Sequence, residues 1–152
     1  MSNVWTEDAK KYNLHEEWAD TRKEAYLYKK LDNNMVQCQL CPRKCKIGEN
    51  CTGFCKVRKN IGGTLYAQSY GKATHVTIEK IETEAIFNYK PGSKILSLGN
   101  FGCNLDCDYC QNWKYSQFQY TSPEHIHEYT TEQVIEMAKS NDIDILSWTY
   151  ND

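Results

Sequence analysis

The sequence predicts an α/β chain with an N-terminal helix, a cysteine-rich knuckle, a small β hairpin and a closing strand–loop–helix–strand unit. Three observations predict it. Apolar residues recur at helical steps near the start, five cysteines crowd between Cys38 and Cys55, and short apolar runs flank one capped helical segment in the last third. At 152 residues the chain is long enough for one compact domain with a real core, and short for a barrel that encloses both a cofactor and a substrate.

Leu14, Trp18, Ala25 and Tyr28 fall at three-, four- or seven-residue steps, with Glu16, Glu17, Asp20, Lys23, Glu24 and Lys29 between them. That spacing predicts an amphipathic helix whose apolar stripe is a packing face. Asp32-Asn33-Asn34 supplies residues that tolerate turns and ends it. Residues 36–60 hold cysteines and little apolar material of their own. Asn60-Ile61-Gly62-Gly63 is a turn signal. Thr64 to Tyr70 and Thr74 to Glu79 then alternate as strands do, with Gly71-Lys72 between them, and are expected to pair as an antiparallel hairpin.

Pro91-Gly92-Ser93 makes a second turn and launches Lys94 to Gly99, a short apolar run suited to a buried parallel strand. Thr130 and Gln133 stand at capping-box spacing and open a helix that carries Val134, Ile135 and Ala138 on one side. Asn141-Asp142 closes that helix, and Ile143 to Trp148 reads as a further strand. Strand, loop, helix and strand make a βαβ unit, with any chemistry expected at the carboxyl end of its first strand.

Composition excludes several classes. The formal net charge is −2 and acids and bases are interspersed, so nothing favours nucleic acid or an anionic membrane as partner. No run approaches eighteen apolar residues and no basic segment precedes an apolar one at the start, which predicts a cytoplasmic protein. Eight cysteines in a reducing compartment point to metal or cluster ligation rather than disulfides. The pair His125 and His127 reads as a solvated loop, His15 and His75 show no partner, and Lys29, Lys30, Lys44 and Lys46 read as a solvated face.

Cys103, Cys107 and Cys110 form a C-x3-C-x2-C loop directly after the strand at 94–99. Three thiolates so close together suit a 4Fe-4S cluster, one iron each, with the fourth iron open to a chelating ligand. Gly99 and Gly102 would let the backbone bend closely around it. The other readings of the same loop are a zinc knuckle short of one ligand, or buried free thiols. The N-terminal cysteines would organise a segment too poor in apolar residues to fold alone, around either zinc or an auxiliary iron–sulfur cluster.

The resemblance extends beyond the triplet. Tyr109 just before Cys110, Glu24 to Leu31, Val36 to Cys45, Gly53 to Arg58, Pro91-Gly92-Ser93, Gly102 to Leu105 and Cys110-Gln111-Asn112-Trp113 resemble one branch of the radical S-adenosylmethionine (radical SAM) superfamily. The branch is the AmmeMemoRadiSam-system radical SAM enzyme, related to pyruvate formate-lyase-activating enzymes, and the similarity runs from about Glu24 to Asp152. It implies the start of a partial TIM-type radical SAM barrel, here cut short. The regions are then an N-terminal helical segment over 1–35, a cysteine-rich metal-binding and hairpin region over 36–92, and the first part of the radical SAM core over 93–152.

The resemblance also implies the chemistry. A reduced 4Fe-4S cluster on Cys103, Cys107 and Cys110 would cleave S-adenosylmethionine to methionine and a 5′-deoxyadenosyl radical that abstracts hydrogen. Tyr109 would cover the cluster or touch the adenine. Thr149, Tyr150 and Asn151 would lie beside the amino group of S-adenosylmethionine, with Asp152 in the acidic position. Cys38, Cys41, Cys45 and Cys55 would be the family's second metal set, for zinc or an auxiliary cluster, with Cys51 spare or a substitute for one of them. Two departures stand out: Asp152 replaces the family's usual glutamate, and the stretch from Ile78 to Pro91 is longer than usual and lacks the customary Lys-Pro-Leu-Tyr-His. An external one-electron reductant and a protein substrate or partner enzyme are implied, and the chain is expected to be the N-terminal piece of a longer enzyme. The rival expectations are a non-catalytic metal-binding interaction module and a cluster-bearing subunit of a split enzyme.

Overall fold

The computed structural model describes residues 23–117 and 125–149. Within them the chain is a mixed α/β domain built on several small sheets. The first half contributes six short strands: β1 (Lys23–Glu24), β2 (Tyr28–Lys30), β3 (Val36–Cys38), β4 (Lys46–Ile47), β5 (Arg58–Ile61) and β6 (Thr64–Ala67). They form two antiparallel three-stranded sheets, ordered β1-β6-β5 and β2-β3-β4.

Turn chemistry sets both. Gly62 (φ 58°) and Gly63 (φ 77°) sit between the paired residues Ile61 and Thr64, the two-residue, doubly left-handed turn that matches strand twist. Asn33 (φ 55°) and Asn34 (φ 57°) do the same between β2 and β3, where Met35 N–H donates to the Asp32 carbonyl at 3.2 Å. Buried Asn60 fastens the two sheets together. Its Nδ2 donates to the carbonyls of Asn34 (2.8 Å) and Ile47 (2.9 Å), and its Oδ1 accepts from Gly63 N–H at 3.0 Å.

Residues 23–30 correct the expected helix. Lys23–Glu24 and Tyr28–Lys30 are strands, paired with Tyr66–Ala67 and with Val36–Cys38. Ala25 and Tyr28 pack on Val36, Cys38, Ile47 and Leu65, so burial on two sheets overrides the helical spacing. Leu14 and Trp18 lie outside the described residues. The expected hairpin is also re-partnered. The Gly62-Gly63 turn gives β6 to β5, and Val76 to Lys80 pairs instead with Lys94 to Leu98.

The second half holds β7 (Lys72–Ala73), β8 (Val76–Lys80), β9 (Lys94–Gly99), the short α1 (Trp113–Ser116), β10 (His127–Glu128), α2 (Thr131–Ser140) and β11 (Leu146–Thr149). A 3-10 turn, Ile81–Glu84, follows β8. β9 is central, antiparallel to β8 and parallel to β11, while β7 and β10 form a separate antiparallel pair. The helix α2 connects the parallel pair and carries the full capping box. Gln133 N–H donates to Thr130 Oγ1 (3.2 Å), and Thr130 N–H donates to Gln133 Oε1 (2.8 Å).

Side chains alternate across β9. Leu96 and Leu98 face Val134, Ala138 and Ile143 in the larger core, together with Ala73. Ile135, expected on the buried side of the helix, is instead 43 % exposed. Ser97 and Gly99 point to the opposite face. Because the sheet β8-β9-β11 is open, and no sheet among the described residues closes on itself, the partial TIM-type barrel is not what this chain builds.

Candidate functional site

Strands β9 and β11 end side by side, tied by Asn100 N–H donating to the Thr149 carbonyl at 3.0 Å. On the face away from α2 the register sets Ser97 beside Ser147, and Gly99 beside Thr149. Gly99 has to be glycine, because a Cβ there would lie 2.5 Å from Thr74 Oγ1 and 2.8 Å from the His75 ring. The cysteine loop leaves from this point. Gly102 (φ 74°) turns it under the knuckle, where a Cβ would strike the Cys55 carbonyl and lie 2.6 Å from a Val57 methyl. Its N–H donates to the Tyr115 carbonyl at 2.9 Å, so the start and end of the loop are fastened together. Arg43 adds a second strap, with Nε donating to the Asn104 carbonyl and the guanidinium stacked 3.4 Å over the Phe54 ring.

Cys103, Cys107 and Cys110 open on a hollow of about 450 Å³ at these strand ends, with Glu84, Ser147 and Thr149 opposite and Ile86 and Leu105 as apolar wall. Glu84 spans the two strands. Its Oε1 accepts from Ser97 Oγ and its Oε2 from Thr149 Oγ1, each at 2.7 Å. Sequence reasoning passed over Glu84, which sits in the long stretch between β8 and β9. Its signal was faint: one acid at the end of a short turn that follows a strand.

Two of the thiols are engaged in local contacts. Cys103 is 8 % exposed and its sulfur accepts the Leu105 N–H at 3.3 Å, while Cys110 Sγ meets Ser116 Oγ at 3.3 Å. Tyr109, expected to cover this site, is 90 % exposed and points to solvent. Tyr150, Asn151 and Asp152 lie outside the described residues.

Four of the N-terminal cysteines behave as packing groups. Cys38 belongs to the core around Val36 and Leu65, with Cys45 and Cys51 half-buried against it, whereas Cys55 packs with Val57 and Phe101. Burial is the main force that pushes the Cys55 thiol up from its ordinary value, with smaller contributions from Cys45 and Cys38. Cys38, Cys41, Cys45 and Cys55 all border a second, wider hollow of about 1130 Å³.

Both metal expectations are corrected by this geometry. Among the described residues, no group of three or more His, Cys, Asp or Glu side chains is placed where it would hold a metal ion. That finding removes the 4Fe-4S cluster from Cys103, Cys107 and Cys110. It also removes zinc or an auxiliary cluster from Cys38, Cys41, Cys45 and Cys55, with or without Cys51. The reductive cleavage of S-adenosylmethionine, the radical SAM enzyme, the metal-binding module and the cluster-bearing subunit rested on those ligands and go with them. Thiol spacing fixed which cysteines share a hollow, not where their sulfurs point.

His75 also differs from expectation. Its Nδ1 lies 3.1 Å from Thr74 Oγ1 and its ring 5.6 Å from that of Tyr115. Burial lowers its pKa from the ordinary value, with Glu79 acting the other way. Among the described residues no helix is long and apolar enough to cross a membrane.

No family model matches the chain, and no solved structure matches it. The chain is 42 % identical over 132 residues to uncharacterized protein MJ0808 of Methanocaldococcus jannaschii. The match takes in 86 % of this chain but 39 % of that protein, so the chain spans about two fifths of its relative's length.

Proposed function

We propose that the hollow at the carboxyl ends of β9 and β11 is the functional site, and that it binds a small polar molecule against a thiol wall. The observation that carries this reading is convergence. Three cysteines from one loop face Glu84 and two strand-end hydroxyl residues across about 450 Å³, a volume in the range of small-molecule pockets. Strand ends of a parallel pair are where open α/β sheets place ligands, because the connecting loops there are free to vary. Thiols supply soft, nucleophilic contacts, and the carboxylate and hydroxyls supply direction. A cytoplasmic setting belongs to the same proposal, and it is supported by all eight cysteines being free.

A thermal-shift screen with a panel of polar metabolites tests it, with Ser147→Trp as the comparison because an indole at that position fills the hollow. A ligand at a hundred times its Kd adds about 2.7 kcal/mol of stability. Hits that stabilise the native chain and are lost in Ser147→Trp are expected. Hits that persist in the filled variant, or a panel that stabilises nothing, would overturn the assignment.

A further inference from the structure

The hollow has one charged side chain among its described lining residues, Glu84, and it is an anion. No lysine, arginine or histidine faces it there. Glu84 takes part in neither of the ion pairs among the described residues, which join Lys72 to Glu128 and Lys90 to Asp144. Its two oxygens each accept one hydroxyl hydrogen bond, from Ser97 and from Thr149. A carboxylate offers about four acceptor positions, so two are left over from these bonds, and Glu84 lines the hollow. These hydroxyls are neutral: they hold the carboxylate in place without cancelling its charge. Beside it the wall is soft and apolar, formed by the thiols, Ile86 and Leu105.

We infer that the ligand class for this site is a primary ammonium compound with a short apolar stem, its cationic head on Glu84 and its stem against Ile86, Leu105 and the thiols. This deepens the proposed function and rests on the same hollow. An ammonium supplies the three donors and the charge that the site lacks. An anionic ligand would meet Glu84 with like charge and find no cation among the described lining residues to receive it. A neutral alcohol of the same shape would keep the apolar contact and lose the charge-assisted bonds.

The test compares n-butylammonium with 1-butanol by amide NMR titration at neutral pH, on the native chain and on Glu84→Gln. Glutamine keeps the size of the side chain and still bonds both hydroxyls, so the fold is retained while the charge goes. The ammonium is expected to shift the amides of Leu105, Ser147 and Thr149, to bind about tenfold tighter than the alcohol, and to lose that margin in Glu84→Gln. Equal binding of the two probes, or ammonium binding unchanged in Glu84→Gln, overturns the ammonium preference while leaving the hollow a ligand site. If neither probe shifts those amides, both the preference and the site assignment fall.

Discussion

Removing the Glu84 carboxylate tests the clasp that shapes the site. In Glu84→Ala the Ser97 hydroxyl, whose residue is 0 % exposed, loses its acceptor inside the protein. An orphaned buried hydroxyl costs about 1–3 kcal/mol. The Thr149 hydroxyl lies at the hollow, where water replaces the lost bond, so its share is at most about 0.5 kcal/mol. The expected destabilisation is therefore about 2 kcal/mol, read as a lower urea midpoint at unchanged m-value. Ser97→Ala supplies the control, because it removes the group that would be orphaned. In that background Glu84→Ala should cost less than about 1 kcal/mol, a coupling of about 1 kcal/mol or more between the two positions. Strict additivity of the two changes, or a single-variant cost under about 0.5 kcal/mol, would refute the clasp.

Three further outcomes follow from the same structure. Gly102→Ala places a methyl against the Cys55 carbonyl and Val57 on a left-handed backbone, and should cost about 3 kcal/mol or more in urea unfolding. Thr130→Ala removes the side-chain half of the α2 capping box and should cost about 1 kcal/mol by the same measurement. Burial depresses the pKa of His75, so the unfolded chain takes up its proton first as pH falls. Stability from this residue is full above the unfolded value of about 6.5 and is lost as pH drops toward the lower folded value. A pH series of unfolding free energies should therefore be flatter in that window for His75→Gln than for the native chain.

Local signals in the sequence were the ones that could be read. The Gly62-Gly63 turn, the Thr130–Gln133 capping box and the strand at Lys94–Gly99 depend on residues within a few positions of one another, and each forms. Pairing over distance was not legible. The segment around Ala25 and Tyr28 has helical spacing, yet its backbone is taken up by two sheets whose other strands lie downstream. Strand β8 reads equally well as a partner for β6, and only its cross-strand contacts, Val76 with Leu98 and Ile78 with Leu96, assign it to β9. At the site, spacing placed Cys103, Cys107 and Cys110 on one loop, and the loop does face one hollow. The direction of each sulfur is set by contacts such as Cys110 with Ser116, which no spacing rule contains. Glu84 was invisible because its role depends on meeting Ser97 and Thr149, the latter 65 positions away.

The central claim is that the thiol loop and the strand ends β9 and β11 share one accessible hollow. Rate-resolved labelling with monobromobimane, read cysteine by cysteine by peptide mass spectrometry, tests it most directly. Cys107 and Cys110 should label readily in the native chain and about tenfold more slowly in Ser147→Trp, while Cys41, on the other hollow, keeps its rate in both. Unchanged rates at Cys107 and Cys110 in the filled variant would contradict the shared hollow and the function drawn from it.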